Sequence, residues 1–184
     1  SDEYEVIMIG EEIGVENYHP PKNVHGIIAN PVCTEFSTAK CFNHVGDIEK
    51  GMFLVNHCLR IIKEAQPKWW VIENPFNGRL KEILGKPKYV YQPWEYGRPW
   101  TKKTALWGEF ESPKPIYKNW EDVPKNKKLY IRPGRLKPGL VYFHKSAVDL
   151  IPEMQWAKES IKCDADIRSM CSRGFAQEFF KNNR

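Results

Sequence analysis

A strand–helix–strand pattern in the first half of the sequence most constrains its fold. Residues 24–29 and 69–72 are short apolar runs, as expected of buried strands. Between them, apolar residues recur at three- and four-residue intervals on one helical face: Ile48, Met52, Val55, Leu59, Ile62 and Ala65. Pro67 is expected to end this helix. Because a crossover of this length joins parallel neighbouring strands, the sequence predicts a βαβ unit.

Both strands of this unit run into a polar residue and a proline. The first is followed by Asn30-Pro31 and then Cys33, and the second by Glu73-Asn74-Pro75. Ligands of open α/β sheets bind beyond the carboxyl ends of the strands, so Cys33 and Glu73 are expected to face one crevice. Cys33 is either a thiolate nucleophile or a small buried residue. Glu73 is either a reacting carboxylate or a helix cap or ion-pair partner.

The rest of the sequence suggests one α/β domain spanning residues 1–184. Residues 4–9 resemble a further strand that ends at Gly10, and residues 1–85 form the predicted βαβ core. Residues 86–145 form a basic, proline-rich insertion of strands and loops. Residues 146–184 return to helix, around 152–162 and 173–181. We expect a Rossmann-like, mostly parallel sheet with flanking helices.

The charge is distributed unevenly along the chain. Residues 1–35 carry one lysine and seven acidic residues, whereas residues 79–145 carry sixteen lysines and arginines and six acidic residues. The basic half also contains interspersed tryptophans and tyrosines. This pattern indicates a phosphate-rich partner, with a solvated lysine-rich surface as the alternative.

Composition excludes several classes of protein. The apolar runs are too short to span a membrane, and the polar, acidic start is unlike a secretory signal. The five cysteines show no CxxC pair and no zinc-ligand spacing. We therefore expect no metal, a reducing compartment and a cytoplasmic location.

Three segments carry a resemblance to a known family. Pro31-Val32-Cys33-Thr34-Glu35-Phe36-Ser37 resembles the nucleophile motif of cytosine-5 DNA methyltransferases, and Glu73-Asn74-Pro75 resembles their Glu-Asn-Val motif. Residues 96–104, Tyr-Gly-Arg-Pro-Trp-Thr-Lys-Lys-Thr, resemble the later Tyr-Gly-x-Pro motif. Residues 168–180 are similar to the Gly-Phe-Ala segment near the end of small phage and prophage members.

The resemblance implies methyl transfer from S-adenosylmethionine to C5 of a cytosine flipped out of DNA, in a bacterial or phage-infected cell. It implies that Cys33 attacks C6 and Glu73 contacts N3. Residues expected near the cofactor are Asn30, Pro31 and Glu11, although the pattern around Glu11 favours a solvated acidic turn. Residues expected to contact DNA or to support the active-site loop are Ser37, Arg98, Lys102, Lys103, Arg132 and Arg135.

Two departures from the family pattern leave alternatives open. The glycine-rich cofactor loop that precedes the second strand in that family is not found, so residues 4–9 align with that second strand. Val32 stands where the family favours proline, which leaves the loop less restricted. The main alternative is a catalytically inactive relative that binds DNA or a protein. Another is an enzyme acting on RNA or a free nucleotide.

Overall fold

The computed structural model describes residues 4–37 and 46–184. The chain divides into two compact units, one comprising Ser1–Lys88 and Ala105–Phe110, the other Tyr89–Thr104 and Glu111–Arg184. The described residues contain α-helices and β-strands, so the chain has a mixed α/β fold. The single-domain organisation expected from the sequence stays a prediction.

The first unit contains the predicted βαβ arrangement. Strand β1 is Gly26–Ala29, helix α1 is Ile48–Ala65 and strand β2 is Trp69–Pro75. β1 and β2 pair in parallel, with Ala29 opposite Ile72. The short helix α2 follows at Leu80–Leu84, and strand β4, Thr104–Glu109, lies on the other side of β2 from β1. The parallel strand pair and its crossover helix are confirmed.

Helix α1 begins and ends with local signals that its sequence supplies. The carboxylate of Asp47 accepts a hydrogen bond from the backbone N–H of Lys50, which satisfies one of the first-turn donors. Gln66 adopts a left-handed conformation at the carboxyl end, directly before Pro67. The predicted apolar face is turned inward, with Val55 and Ile62 buried. These side chains share the core of the first unit with residues of β2, α2 and β4: Val71, Ile72, Leu80, Ala105, Leu106 and Trp107.

Two expectations about the strands are wrong. Residues 4–9 form no strand, and Val6, Ile7 and Met8 are 69%, 50% and 83% exposed. An apolar run becomes a strand only where its backbone groups find a ladder partner, and residues 4–9 pair with none of the described strands. The sheet is mixed rather than mostly parallel. Parallel neighbouring strands need a long crossover, and among the described residues α1 provides one between β1 and β2. Between β2 and β4 the longest described helix is α2, which has five residues.

The second unit is built mainly from turns and short helices. It contains strand β3, Tyr89–Tyr91, and 3-10 helices at Pro93–Tyr96, Trp120–Asp122, Leu140–Tyr142, Lys145–Leu150 and Pro152–Ser160. Helices α3, Asp164–Ser169, and α4, Arg173–Asn182, follow. The helix predicted at 173–181 is confirmed. Apolar side chains from these segments form one buried cluster: Trp100, Leu129, Leu140, Phe143, Val148, Ile151, Met154, Ile161 and Ile167.

Candidate active site

The loop after β1 begins beside the end of β2. Since Ala29 lies opposite Ile72, continuing the parallel register brings Asn30 level with Glu73 and Pro31 level with Asn74. Pro31 is buried, Asn30 is exposed and Cys33 is half-buried. Cys33 therefore belongs to the loop that leaves the carboxyl end of β1, and its reactivity there stays a prediction.

A buried amide fastens this loop to β2. The side chain of Asn74 is 1% exposed, and its Nδ2 donates a 3.0 Å hydrogen bond to the carbonyl oxygen of Pro31. The Oδ1 atom of Asn74 is also buried and has no hydrogen-bond partner among residues 4–37 and 46–184. A buried polar group is stable only with its partners in place, so the Pro31 bond fixes the loop position.

Side chains alternate between the faces of β2, which separates the roles of adjacent residues. Ile72 and Asn74 are 0% and 1% exposed, and both lie on one face of the strand. Glu73 lies on the opposite face and is half-buried. The arrangement places the structural amide inside the core and the half-buried Glu73 on the opposite face of the strand.

We call residues 30–37, which follow β1, the cysteine loop. Its far side is held by the turn that follows β2. The backbone N–H of Phe36 donates to the carbonyl of Cys33 at 3.1 Å, which closes a turn. The carbonyl of Phe36 accepts from the N–H of Arg79 at 2.8 Å, and the Phe36 ring is fully buried. Cys33 thus lies between two anchors, Pro31, which is bonded to Asn74 in β2, and Phe36, which is bonded to Arg79 after β2.

Glu35 connects the same loop to the start of α1. Its carboxylate Oε2 accepts a hydrogen bond of 2.9 Å from the backbone N–H of Asp47. The helix packs closely here, because a Cβ on Gly51 would lie 2.8 Å from the ring of Phe36. A Cβ on Gly46 would lie 2.0 Å from the carbonyl oxygen of Glu35. These contacts fix the backbone around the cysteine from the side of α1.

Of the residues predicted to bind the cofactor, Glu11 is exposed in a turn over Gly10–Gly14. The segment after this turn is attached to α1, where Arg60 donates to the carbonyls of Val15 and Tyr18 at 2.9 Å each. The exposed polar side chains of Glu11 and Asn30 suit the hydroxyl and amino groups of S-adenosylmethionine, whereas the carbonyl of Pro31 is already bonded to Asn74. The described residues thus offer groups for only part of that cofactor.

Ser37, predicted to contact DNA, lies in the first unit at the end of the cysteine loop and is half-buried. The other five residues of that prediction belong to the second unit. Lys103 and Arg135 are exposed, and Lys102 is half-buried, with its backbone N–H bonded to Gln92 Oε1 at 3.0 Å. Their contacts with DNA stay predictions.

The two predicted arginines Arg98 and Arg132 have different surroundings. Burial lowers the pKa of the Arg98 guanidinium, and the nearby Glu153 carboxylate opposes that shift. Arg132 is exposed, and its Nη1 donates to the hydroxyl of Tyr142 at 2.7 Å. That hydrogen bond raises the pKa of Arg132, so the side chain remains a cation throughout the physiological range.

Two of the family-like segments pack against each other within the second unit. The ring of Phe175 stacks on Tyr91 with centroids 4.0 Å apart and meets Tyr96 edge-on at 5.2 Å. A Cβ on Gly174 would lie 2.4 Å from the carbonyl oxygen of Tyr96. The Tyr96-Gly97 turn and the Gly174-Phe175 start of α4 therefore form one structural element, and α4 contributes to holding this motif.

The chain is similar to a viral DNA methyltransferase. Over 109 residues it is 33% identical to a protein of Frog virus 3 (isolate Goorha) named "Probable DNA (cytosine-5)-methyltransferase", covering 50% of this chain and 49% of the relative. The chain thus spans about half the length of the curated relative that it matches. No family model matches the sequence.

The described residues form neither a metal site nor a membrane-spanning helix. Within residues 4–37 and 46–184, no group of three or more His, Cys, Asp or Glu side chains could hold a metal ion. In the same part of the chain, no helix is long and apolar enough to cross a membrane.

Sequence reasoning missed the residues that position Cys33. Asn74 was seen only as a part of the Glu73-Asn74-Pro75 segment, and Glu35 only as a neighbour of the cysteine. The available signal was an asparagine near the end of a strand that begins with four apolar residues, since a buried amide needs a specific partner. No local pattern reveals that Glu35 bonds to Asp47, because the two residues are twelve positions apart.

Proposed function

We propose that this chain carries the cytosine-activating site of a DNA (cytosine-5)-methyltransferase, with Cys33 as nucleophile and Glu73 as its partner. The observation that carries the proposal is the buried hydrogen bond from Asn74 to Pro31, which attaches the Cys33 loop to the strand end bearing Glu73. The 33% identity to the viral protein over half of each chain supports the same activity.

The chemistry needs both side chains. C5 of cytosine is a weak nucleophile because the aromatic ring shares its electrons. Addition of a thiolate at C6 removes that aromaticity and makes C5 electron-rich, and a proton or strong hydrogen bond at N3 favours the addition. Cys33 is proposed to provide the thiolate, and Glu73 the contact to N3 and the exocyclic amine. The target base is flipped out of the duplex to reach them.

The methyl group is proposed to come from S-adenosylmethionine, which when bound supplies it to C5 and leaves as S-adenosylhomocysteine. Loss of the C5 proton then breaks the bond between Cys33 and C6 and restores the aromatic ring. Glu11 is proposed to accept hydrogen bonds from ribose hydroxyls, and Asn30, beside Glu73 at the strand end, to face the bound donor. A Rossmann-like sheet and kinship with the small phage-type members of the family belong to the same proposal.

The second unit is proposed to bind the DNA backbone. Its exposed cations attract phosphates, and the resulting affinity falls steeply with salt because counterions are released. Lys102, Lys103 and Arg135 are the proposed phosphate contacts, with Arg98 supporting the Tyr96-Gly97 turn. Ser37 in the first unit is proposed to contact the DNA next to the reacting cytosine.

The test is transfer of a labelled methyl group from S-adenosylmethionine into unmethylated duplex DNA, followed by nucleoside analysis. We expect 5-methylcytosine as the product, its loss in Cys33→Ser and a strong reduction in Glu73→Gln. Cys171→Ser, at an exposed cysteine of the second unit, is the matched control and keeps full activity. Methylation of adenine, or of RNA alone, would contradict the proposal. DNA binding without any transfer would favour the inactive relative.

A further inference from the structure

The second unit carries a loop, residues 130–137, that is fixed at both ends; we call it the tip loop. On one side, Leu129 is 8% exposed and packs in the core cluster. On the other side, the carbonyl of Pro138 accepts hydrogen bonds from the backbone N–H and the hydroxyl of Thr101, at 2.8 and 3.1 Å. The ends of the tip loop are therefore part of the folded core.

The shape of the tip loop is fixed by a turn within it and by contacts with other residues of the second unit. The N–H of Arg135 donates to the carbonyl of Arg132 at 3.0 Å, and Gly134 supplies the left-handed conformation of this turn with φ of 78°. The guanidinium of Arg132 lies 5.5 Å from the ring centroid of Tyr142. Lys137 Nζ lies over two indole rings, 5.0 Å from the centroid of Trp94 and 5.1 Å from that of Trp120. Such cation–π contacts add to the order of the loop.

This ordered loop exposes large apolar side chains. Leu136 is 90% exposed, Tyr130 57% and Ile131 45%. Single exposed leucines are common on proteins. The fixed loop thus exposes three large apolar side chains within seven residues, and exposed apolar surface beyond isolated side chains marks binding sites. Because the loop needs little ordering on binding, burying these side chains contributes directly to affinity.

The charge around the tip loop identifies the kind of partner. Residues 123–148 contain seven lysines and arginines and no aspartate or glutamate. Such a segment attracts a polyanion, and exposed apolar side chains among cations suit the interior of a base stack flanked by phosphates. Duplex DNA offers both an apolar base stack and flanking phosphates.

We propose that the tip loop is a DNA-deforming wedge, in which Leu136 inserts between adjacent base pairs and Arg132 and Arg135 contact the flanking phosphates. Ile131 extends the apolar contact along the groove. This inference deepens the proposed function, since it takes DNA as the substrate. Insertion unstacks one base step and bends the duplex, and burial of the apolar side chains together with the phosphate contacts offsets that cost.

The experiment uses the 184-residue chain without methyl donor and a set of duplexes, each with 2-aminopurine at a different position. Unstacking raises the fluorescence of this base. We expect the wild-type chain to raise it at a defined step. Leu136→Ala should remove most of that rise and weaken binding about tenfold. Its salt slope should remain unchanged, because the cations are still present. Ile116→Ala, at a residue 52% exposed outside the loop, is the control and should behave as wild type.

A second variant tests the phosphate contacts. Arg132→Gln combined with Arg135→Gln should lower the slope of log affinity against log salt by about two. Equal fluorescence rises in Leu136→Ala and wild type, with methyl transfer intact, would overturn the wedge but not the proposed function. A wedge signal without methyl transfer would overturn the function but not the wedge. Binding to anionic vesicles with no binding to DNA would overturn both.

Discussion

The side-chain amide of Asn74 donates a hydrogen bond of 3.0 Å to the carbonyl oxygen of Pro31, in the interior of the first unit. Pro31 precedes Cys33 by two residues and Asn74 follows Glu73 directly. One buried hydrogen bond therefore ties the backbone of the proposed nucleophile to that of its proposed partner. A site of this kind is held by its supporting residues as much as by its reacting ones.

Replacing Asn74 by Asp tests this support with almost no change in shape. The carboxylate would face the carbonyl of Pro31 as acceptor against acceptor, and we expect a loss of about 3 kcal/mol in the free energy of unfolding at neutral pH. Denaturant unfolding measures the loss. At acid pH the protonated Asp regains a donor, so the deficit should shrink as pH falls.

The matched control for that substitution is Asn56→Asp, at an exposed position of α1. It should change the free energy of unfolding by no more than about 0.5 kcal/mol. If the two variants were equally stable, the Asn74–Pro31 bond would not be fixing the loop.

Gly46 reports on the packing between the cysteine loop and α1. Its Cβ would lie 2.0 Å from the carbonyl oxygen of Glu35, and a backbone atom cannot move aside cheaply. Gly46→Ala should cost several kcal/mol or displace the loop, and should reduce methyl transfer. Gly10→Ala is the comparison, since a Cβ there meets nothing within 4 Å. Thermal unfolding and activity of both variants check this expectation.

The stability of the second unit should depend on pH through Asp166. Its carboxylate accepts from the backbone N–H groups of Cys163 and Lys162, and these bonds hold its pKa below the ordinary 3.8. Because the folded pKa is depressed, the carboxylate contributes stability above pH 3.8, and that contribution is lost as pH falls through the folded pKa.

Asp166→Asn isolates this contribution. The variant should be less stable than wild type at pH 7, and the gap should narrow as pH falls below 3.8 through the folded pKa of Asp166. Urea unfolding between pH 3 and 7 measures the difference. Asp122→Asn is the control, since this exposed carboxylate accepts from the side chain of Asn119 rather than from backbone N–H groups. A constant gap between Asp166→Asn and wild type across that range would contradict the assignment.

Charge reversal at Lys102 and Lys103 tests the proposed DNA contacts. The double substitution to Glu should weaken DNA binding and flatten its salt dependence, because fewer counterions are released. Electrophoretic or anisotropy titrations at several salt concentrations measure both effects. Lys22→Glu with Lys68→Glu makes the same change in net charge at exposed sites of the first unit. An unchanged salt slope in the Lys102/Lys103 variant would remove these residues from the interface.

Periodicity predicted the elements whose partners are local or close in sequence. The apolar face of α1 and the parallel pairing of β1 and β2 follow from a sequence that specifies both the helix and its crossover. The face of α4 was likewise predictable, with Phe175 and Phe179 buried as expected. The existence of α3 was missed, because six residues with three charged side chains show no apolar period.

The sequence pattern could not predict contacts between residues that lie far apart in the chain. Residues 4–9 have strand-like composition, yet a strand requires a neighbour that composition does not reveal. The same limit applies to the site: Cys33 and Glu73 could be inferred from strand ends, whereas the Asn74–Pro31 bond joins residues 43 positions apart. The roles of Cys33 and Glu73 in catalysis stay predictions.

The most direct test of the account is mass spectrometry of a covalent complex with DNA. A duplex containing 5-fluorocytosine retains the adduct, because fluorine cannot leave C5 as a proton does. With S-adenosylmethionine present, we expect one adduct, mapped to the peptide containing Cys33, absent in Cys33→Ser and retained in Cys171→Ser. An adduct on another cysteine, or methyl transfer by Cys33→Ser, would contradict the account.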